Sequence, residues 1–213
     1  MGKKIKYIKF LVCLFFVLFL CFDYEISFSQ LSKRTWFIEG AGTYYGYKEN
    51  YSTPTFSQVA KFTSIDFSPS VGYFILDKFV VGLKPTFSSY KGRIIESTMG
   101  SGGSTNSYSL TIGPYLRYYF LKIDKPFNIF GDASFQLGTY NRFGGINAKG
   151  NVNTYSVLCG SEIFFNGTAG VEFLLGYMKK NVSVKNPLDP FENQKRGVYL
   201  ALGLTIHLEN NNQ

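Results

Sequence analysis

FTSIDFSPSVGYFILDKFVVGLKPTFSSY, Phe62 to Tyr90, decides how the chain is read. Ile65, Phe67, Pro69, Val71, Tyr73 and Ile75 fall on one parity, and Ser64, Asp66, Ser68, Ser70 and Gly72 on the other. A period of two marks β-strands with one apolar face. After Leu76-Asp77-Lys78 the alternation resumes with Phe79, Val81, Leu83, Pro85 and Phe87 against Gly82, Lys84, Thr86 and Ser88. The stretch is a hairpin whose two faces meet different media.

Outward from this hairpin the same alternation recurs. It predicts eight strands, beginning near Trp36, Phe62, Phe79, Tyr108, Phe127, Tyr155, Ala169 and Val198. No segment carries a sustained helical period. Short links, including the two-residue hairpin signal Asn166-Gly167, alternate with predicted loops at Lys48 to Lys61, Lys91 to Asn106, Asn141 to Asn151 and Lys179 to Lys195. This alternation is the connectivity of an all-β, antiparallel, up-and-down transmembrane β-barrel, with tight periplasmic turns and larger external loops.

The charges sharpen that reading. Glu39, Asp66, Lys84, Arg117, Asp132, Glu162 and Glu172 all lie on the parity opposite the apolar row, which carries no Lys, Arg, Asp or Glu within the predicted strands. A Lys or Arg facing lipid at mid-depth costs about 2 to 4 kcal/mol, so the partition suits lipid outside and a polar lumen inside. An eight-stranded barrel is just wide enough for side chains to fill it, and these seven groups are expected to form a paired charge network there. Aromatic residues near strand ends, among them Trp36, Tyr73, Tyr108, Tyr155 and Tyr177, fit interface girdles, although aromatics favour strands in any case.

Residues 1–29 are built like a secretory signal. Lys3, Lys4, Lys6 and Lys9 precede an apolar run from Phe10 to Phe22, and cleavage is expected before Gln30, leaving 30–213 as the barrel domain. Cys13 and Cys21 leave with the signal, so Cys159 alone remains and no intramolecular disulfide holds the mature fold.

At Gly113-Pro114-Tyr115-Leu116-Arg117-Tyr118-Tyr119-Phe120, and again at Val171-Glu172-Phe173-Leu174-Leu175-Gly176-Tyr177, the chain resembles the outer-membrane β-barrel domain family of Bacteroidetes, small eight-stranded barrels of OmpA and OmpX type. The resemblance implies a closed barrel in the outer membrane of a Gram-negative bacterium, inserted by the outer-membrane assembly machinery. It brings no catalytic residues. The chain departs from the family in ending Leu208 to Gln213 rather than on an aromatic residue.

Candidate chemistry is sparse. One histidine and one mature cysteine do not make a metal-ligand cluster, and no cofactor motif is present. His207 points inward by parity. Lipid A deacylase barrels pair a histidine with a serine two positions on, where this chain has Glu209, so no catalytic residues are assigned. Cys159 points to lipid as an apolar filler. The predicted external loops are rich in bases, notably Lys91, Arg93, Arg142, Lys149, Lys179, Lys180 and Lys185, in a chain of net charge +8. Lipopolysaccharide phosphates are the expected partner of these bases. Nucleic acid is not, because no aromatic-basic module is present. The expected function is that of a monomeric structural, adhesive or loop-recognition protein without enzymatic activity. The rivals are a small pore or transporter, a lipid-modifying barrel enzyme, and a soluble lipocalin-like carrier with a greasy lumen.

Overall fold

The computed structural model describes residues 31–52, 57–98, 102–123, 125–144, 147–165, 168–184 and 191–208. The expected signal segment and the Asn166-Gly167 turn lie outside these residues. Eight strands follow one another: β1 (Trp36–Ser52), β2 (Ser57–Leu76), β3 (Phe79–Ser97), β4 (Ser104–Tyr119), β5 (Phe127–Phe143), β6 (Ala148–Phe164), β7 (Ala169–Val184) and β8 (Phe191–Leu208). Each pairs antiparallel with its sequence neighbours, and β1 with β8 closes the barrel. The eight-strand, up-and-down expectation holds.

The strands are longer than the alternation predicts, because the four expected loops are largely strand. Lys48 and Lys61 are direct partners in the β1–β2 ladder, and Arg142 pairs with Ala148 between β5 and β6. The physical reason is that the apolar face is required only where lipid lies against it. A tilted strand crosses a band about 25 Å tall in roughly 10 residues, and the ladder hydrogen bonds continue past it into water with polar side chains.

The two faces divide as the parity requires. Leu83, Leu110, Leu202 and Leu204 point outward and are 55, 57, 60 and 58% exposed, whereas Arg117, Glu162 and Glu172 point inward at 1, 0 and 0%. Water does not solvate such an exterior, and lipid does. Trp36 and Tyr73 meet in the outward girdle at one end (centroids 5.1 Å apart), and Phe135 and Tyr155 pack as tilted rings at 4.9 Å nearer the other. Pro69, Pro85 and Pro114 lie on the outward parity. The β2–β3 ladder skips from Phe67↔Phe87 to Val71↔Leu83, and the β4–β5 ladder from Ile112↔Leu137 to Tyr115↔Ser134, at residues that lack an N–H to donate.

The end bearing the Asp77-Lys78 turn is the turn end, and the opposite end is the mouth. Lys78 takes a positive φ of 67°, and residues 31–35 tuck against this turn. The Lys78 N–H donates to the Leu31 carbonyl at 2.8 Å, and the Lys33 N–H to Asp77 Oδ1 at 2.8 Å. Leu31 is wholly buried with Phe37, Phe74, Tyr119 and Phe130.

One ladder is incomplete. The β1–β2 pairing runs to Ser52↔Ser57 and the β7–β8 pairing to Val184↔Phe191, but β1 and β8 pair only from Trp36↔Leu208 to Gly42↔Leu202. Among the described residues, Thr43 onward in β1 and Ala201 backward in β8 make no ladder to each other. The barrel is laced at the turn end and has an unpaired seam toward the mouth.

Candidate functional site

The lumen has two halves of different chemistry. Toward the turn end, Arg117 on β4 reaches into the centre. Its Nη2 donates to Glu39 Oε2 (2.9 Å) and Asp132 Oδ2 (3.2 Å), its Nε to Asp132 Oδ2 (3.3 Å), and its Nη1 to Glu172 Oε1 and the Tyr119 hydroxyl. Lys84 donates to both Asp132 oxygens at 3.1 and 3.0 Å, and the Ser70 hydroxyl to Glu39 at 2.9 Å. The guanidinium carbon lies 4.0 Å from the centroid of Phe130 and 4.8 Å from that of Phe37, with both rings presenting π faces to it.

A second knot forms around Glu162. It accepts from the Tyr119 hydroxyl (2.7 Å) and Thr205, and its Oε1 lies 2.8 Å from His207 Nε2. The His207 ring packs against Phe37, Phe74 and Phe164 at 5.2 to 5.9 Å. These contacts hold the imidazole in a buried aromatic layer beside Glu162.

Of the seven expected lumen charges, the structure brings Glu39, Lys84, Arg117, Asp132 and Glu172 into one network, joined through Tyr119 to Glu162. Asp66 stands apart, nearer the mouth, where it accepts from the Thr43 hydroxyl at 3.2 Å. Periodicity alone missed the aromatic half of this layer. Phe37, Phe74, Phe130 and Phe164 occupy the inward parity near the turn end, where the expectation was a polar lumen filled by a paired charge network. Their size on the otherwise polar row was the available signal. Gly160 makes room for the Phe130 ring, whose nearest atom lies 2.3 Å from where a Cβ would sit.

Toward the mouth the lumen opens into a cavity of about 990 Å³, lined by Ser and Thr hydroxyls together with Asp66, Arg142, Lys180, Lys195 and Arg196. Tyr47, Phe62 and Tyr90 stack along one side at 4.9 and 5.8 Å, and Lys195 Nζ sits 4.6 Å from the centroid of Tyr90. Lys180 Nζ donates to the hydroxyls of Ser88 (3.1 Å) and Ser109 (2.7 Å) across the lumen.

The expected external bases need correction here. Lys180 and Arg142 line the cavity, since both fall on the inward parity of strands that run further than the alternation predicts. Lys91, Arg93, Lys149 and Lys179 lie on outward strand extensions instead of on loops, and Lys185 lies outside the described residues. On that outer rim Lys48, Lys61 and Arg93 stand side by side, because Lys61 pairs with Lys48 on one side and with Arg93 on the other. Cys159 is a free, exposed thiol on the outer wall. Among the described residues no group of three His, Cys, Asp or Glu side chains is placed to hold a metal.

No protein-family model and no curated protein matches this chain. Among solved structures, OprG from Pseudomonas aeruginosa aligns at 12% identity over 88% of this chain and 100% of its own, with a TM-score of 0.47. Neisserial surface protein A aligns at 18% over 81% and 96%, TM-score 0.44, and the N-terminal barrel domain of Pseudomonas aeruginosa OprF at 13% over 83% and 98%, TM-score 0.39. By its own strand order, with eight antiparallel neighbours, ionisable groups enclosed and leucines outside, the chain is an up-and-down β-barrel of the outer-membrane type.

Proposed function

We propose that this outer-membrane barrel is a non-conducting, non-enzymatic envelope protein that works through its mouth and rim. The short turns face the periplasm, and the mouth faces the outer leaflet of a Gram-negative cell. The observation that carries the proposal is the sealed layer at the turn end. Arg117, its three carboxylate partners and the surrounding aromatic rings are almost fully buried, and among the described residues this layer forms the floor of the mouth cavity. Ions need an unbroken wet or coordinating pathway to cross, and a layer of this kind denies it.

The outer rim supports a partner. Three cations in cross-strand register, Lys48, Lys61 and Arg93, repel one another unless an anion lies between them. Lipopolysaccharide presents phosphates at this height beside any barrel in the outer leaflet, and charge-assisted contacts to them convert the repulsion into adhesion. The rim therefore anchors the barrel within the lipopolysaccharide layer, as a structural element that presents its mouth outward. The outer-membrane assembly machinery is its partner during insertion.

Planar-bilayer recording of the purified barrel tests the reading. Insertion without steady single-channel currents is expected. Ohmic channels in most insertions overturn it in favour of a pore.

A further inference from the structure

We propose that the mouth holds a single-chain anionic amphiphile, its charged head between Lys180 and Lys195 and its hydrocarbon chain leaving sideways through the unpaired β1–β8 seam. Three independent features meet at this place.

The first is electrostatic. Lys180 and Lys195 are direct partners in the β7–β8 ladder, and both turn inward. Like charges directly opposite on one sheet face repel. Deeper in the lumen each cation is answered by a carboxylate, Lys84 by Asp132 and Arg117 by Glu39, Asp132 and Glu172. These two ammonium groups instead contact the hydroxyls of Ser88 and Ser109 and the ring of Tyr90. Asp66 is the carboxylate that acts on both ammonium groups, and it also accepts from the Thr43 hydroxyl, so two cations share one carboxylate. A bound carboxylate or phosphate resolves the imbalance.

The second is the seam. An unpaired strand edge at membrane depth is tolerated only where it is buried in protein or lines a cavity. Thr43 and Tyr44 of β1 and Leu200 of β8, all within two residues of the last laddered pair, line the mouth cavity. The cavity therefore opens sideways into the wall.

The third lies outside. An apolar groove of about 590 Å³ begins at Gly42, Tyr44, Leu200 and Leu202, where the ladder stops, and continues past Leu175 and Cys159 to Ile129. It crosses the outer faces of β8, β7, β6 and β5; Leu200 lies roughly 16 Å along β8 from Lys195, so an acyl chain whose head sits at Lys195 enters the groove at Leu200, Leu202 and Leu175 with its far end. Lipid is as apolar as the groove, so the chain gains little over its neighbours in the bilayer. Selectivity must come from the head.

The test uses the whole barrel in phosphatidylcholine nanodiscs and three photoreactive probes carrying the same diazirine-tipped chain: palmitate, lysophosphatidate and zwitterionic lysophosphatidylcholine. Cross-links mapped by peptide mass spectrometry are expected to concentrate at Leu200, Leu202 and Leu175, at least tenfold above lysophosphatidylcholine, for one or both anionic probes. The stronger arm tells whether the head is a carboxylate or a phosphate. The Lys180→Gln/Lys195→Gln variant should lose that enrichment while keeping its heat-modifiable mobility. Joining Tyr44→Cys to Leu200→Cys with a short bis-maleimide, in a Cys159→Ala background, should lose it as well. Equal labelling by all three probes, labelling spread around the whole belt, or labelling of Val152 and Val182 inside the mouth overturns the proposal.

Discussion

Arg117 and Asp132 are joined twice. They are direct partners in the β4–β5 ladder, and the Arg117 Nη2 also meets Asp132 Oδ2 at 3.2 Å inside the lumen. The ladder therefore holds the pair in place before any side-chain torsion is set, and Glu39 and Glu172 close on the same guanidinium from β1 and β7. Strands on opposite walls of the barrel are linked through one side chain.

Arg117→Met should accordingly be among the most damaging single changes. It leaves Glu39, Glu172 and part of Asp132 buried without their cation, and breaking a buried pair in this way costs about 3 to 5 kcal/mol. Urea titration of the folded barrel in micelles should show that loss. Replacing Arg117, Glu39, Asp132, Glu172 and Lys84 together by apolar residues of similar volume should cost much less than the single change, because no charge is then left unanswered.

The aromatic part of the same layer is tested at Gly160. A methyl group there would sit 2.3 Å from the Phe130 ring, which is itself held by Arg117 and Tyr119. Gly160→Ala should destabilise the barrel by about 1 to 3 kcal/mol, the usual range for overpacking. Gly160→Ala combined with Phe130→Leu should recover part of it in the same titration.

Leu83 and Lys84 are consecutive residues facing opposite media. Lys84 is buried in the lumen against Asp132, and Leu83 is 55% exposed on the outer wall. Leu83→Arg should cost about 2 to 4 kcal/mol if position 83 lies near the bilayer midplane. Spin labels at positions 83 and 202 should be broadened by oxygen and left untouched by a water-soluble nickel reagent. Collision with the nickel reagent at both positions would remove the lipid-facing assignment.

Which face met which medium was legible in the sequence because a strand's period of two is rigid: Asp66, Lys84, Arg117, Asp132, Glu162 and Glu172 all turned inward as their parity required. Strand ends were less legible, because outside the lipid band the ladder runs on without an apolar row, and Lys48, Lys61 and Arg142 read as loop. Lys180 shares the even parity of Glu172, so its inward direction was readable once the strand was known to reach Val184. The seam had no local signal at all. It depends on how far the first strand pairs with the last, which no stretch of neighbouring residues encodes.

The outer rim gives a prediction with two opposed signs. Lys61 sits between Lys48 and Arg93 in register, so Lys61→Glu converts two repulsive cross-strand pairs into two attractive ones. Each such pair is worth about 0.2 to 1 kcal/mol, so the variant should be more stable than the parent in zwitterionic micelles. The same change removes the central cation of the proposed phosphate contact, so binding to lipopolysaccharide should weaken and its dependence on ionic strength should flatten. Urea titration and a lipopolysaccharide co-sedimentation series at low and high salt read the two effects separately. A rim kept basic only by chance would show the gain in stability and no loss of binding, and that result would end its assignment as a lipopolysaccharide contact.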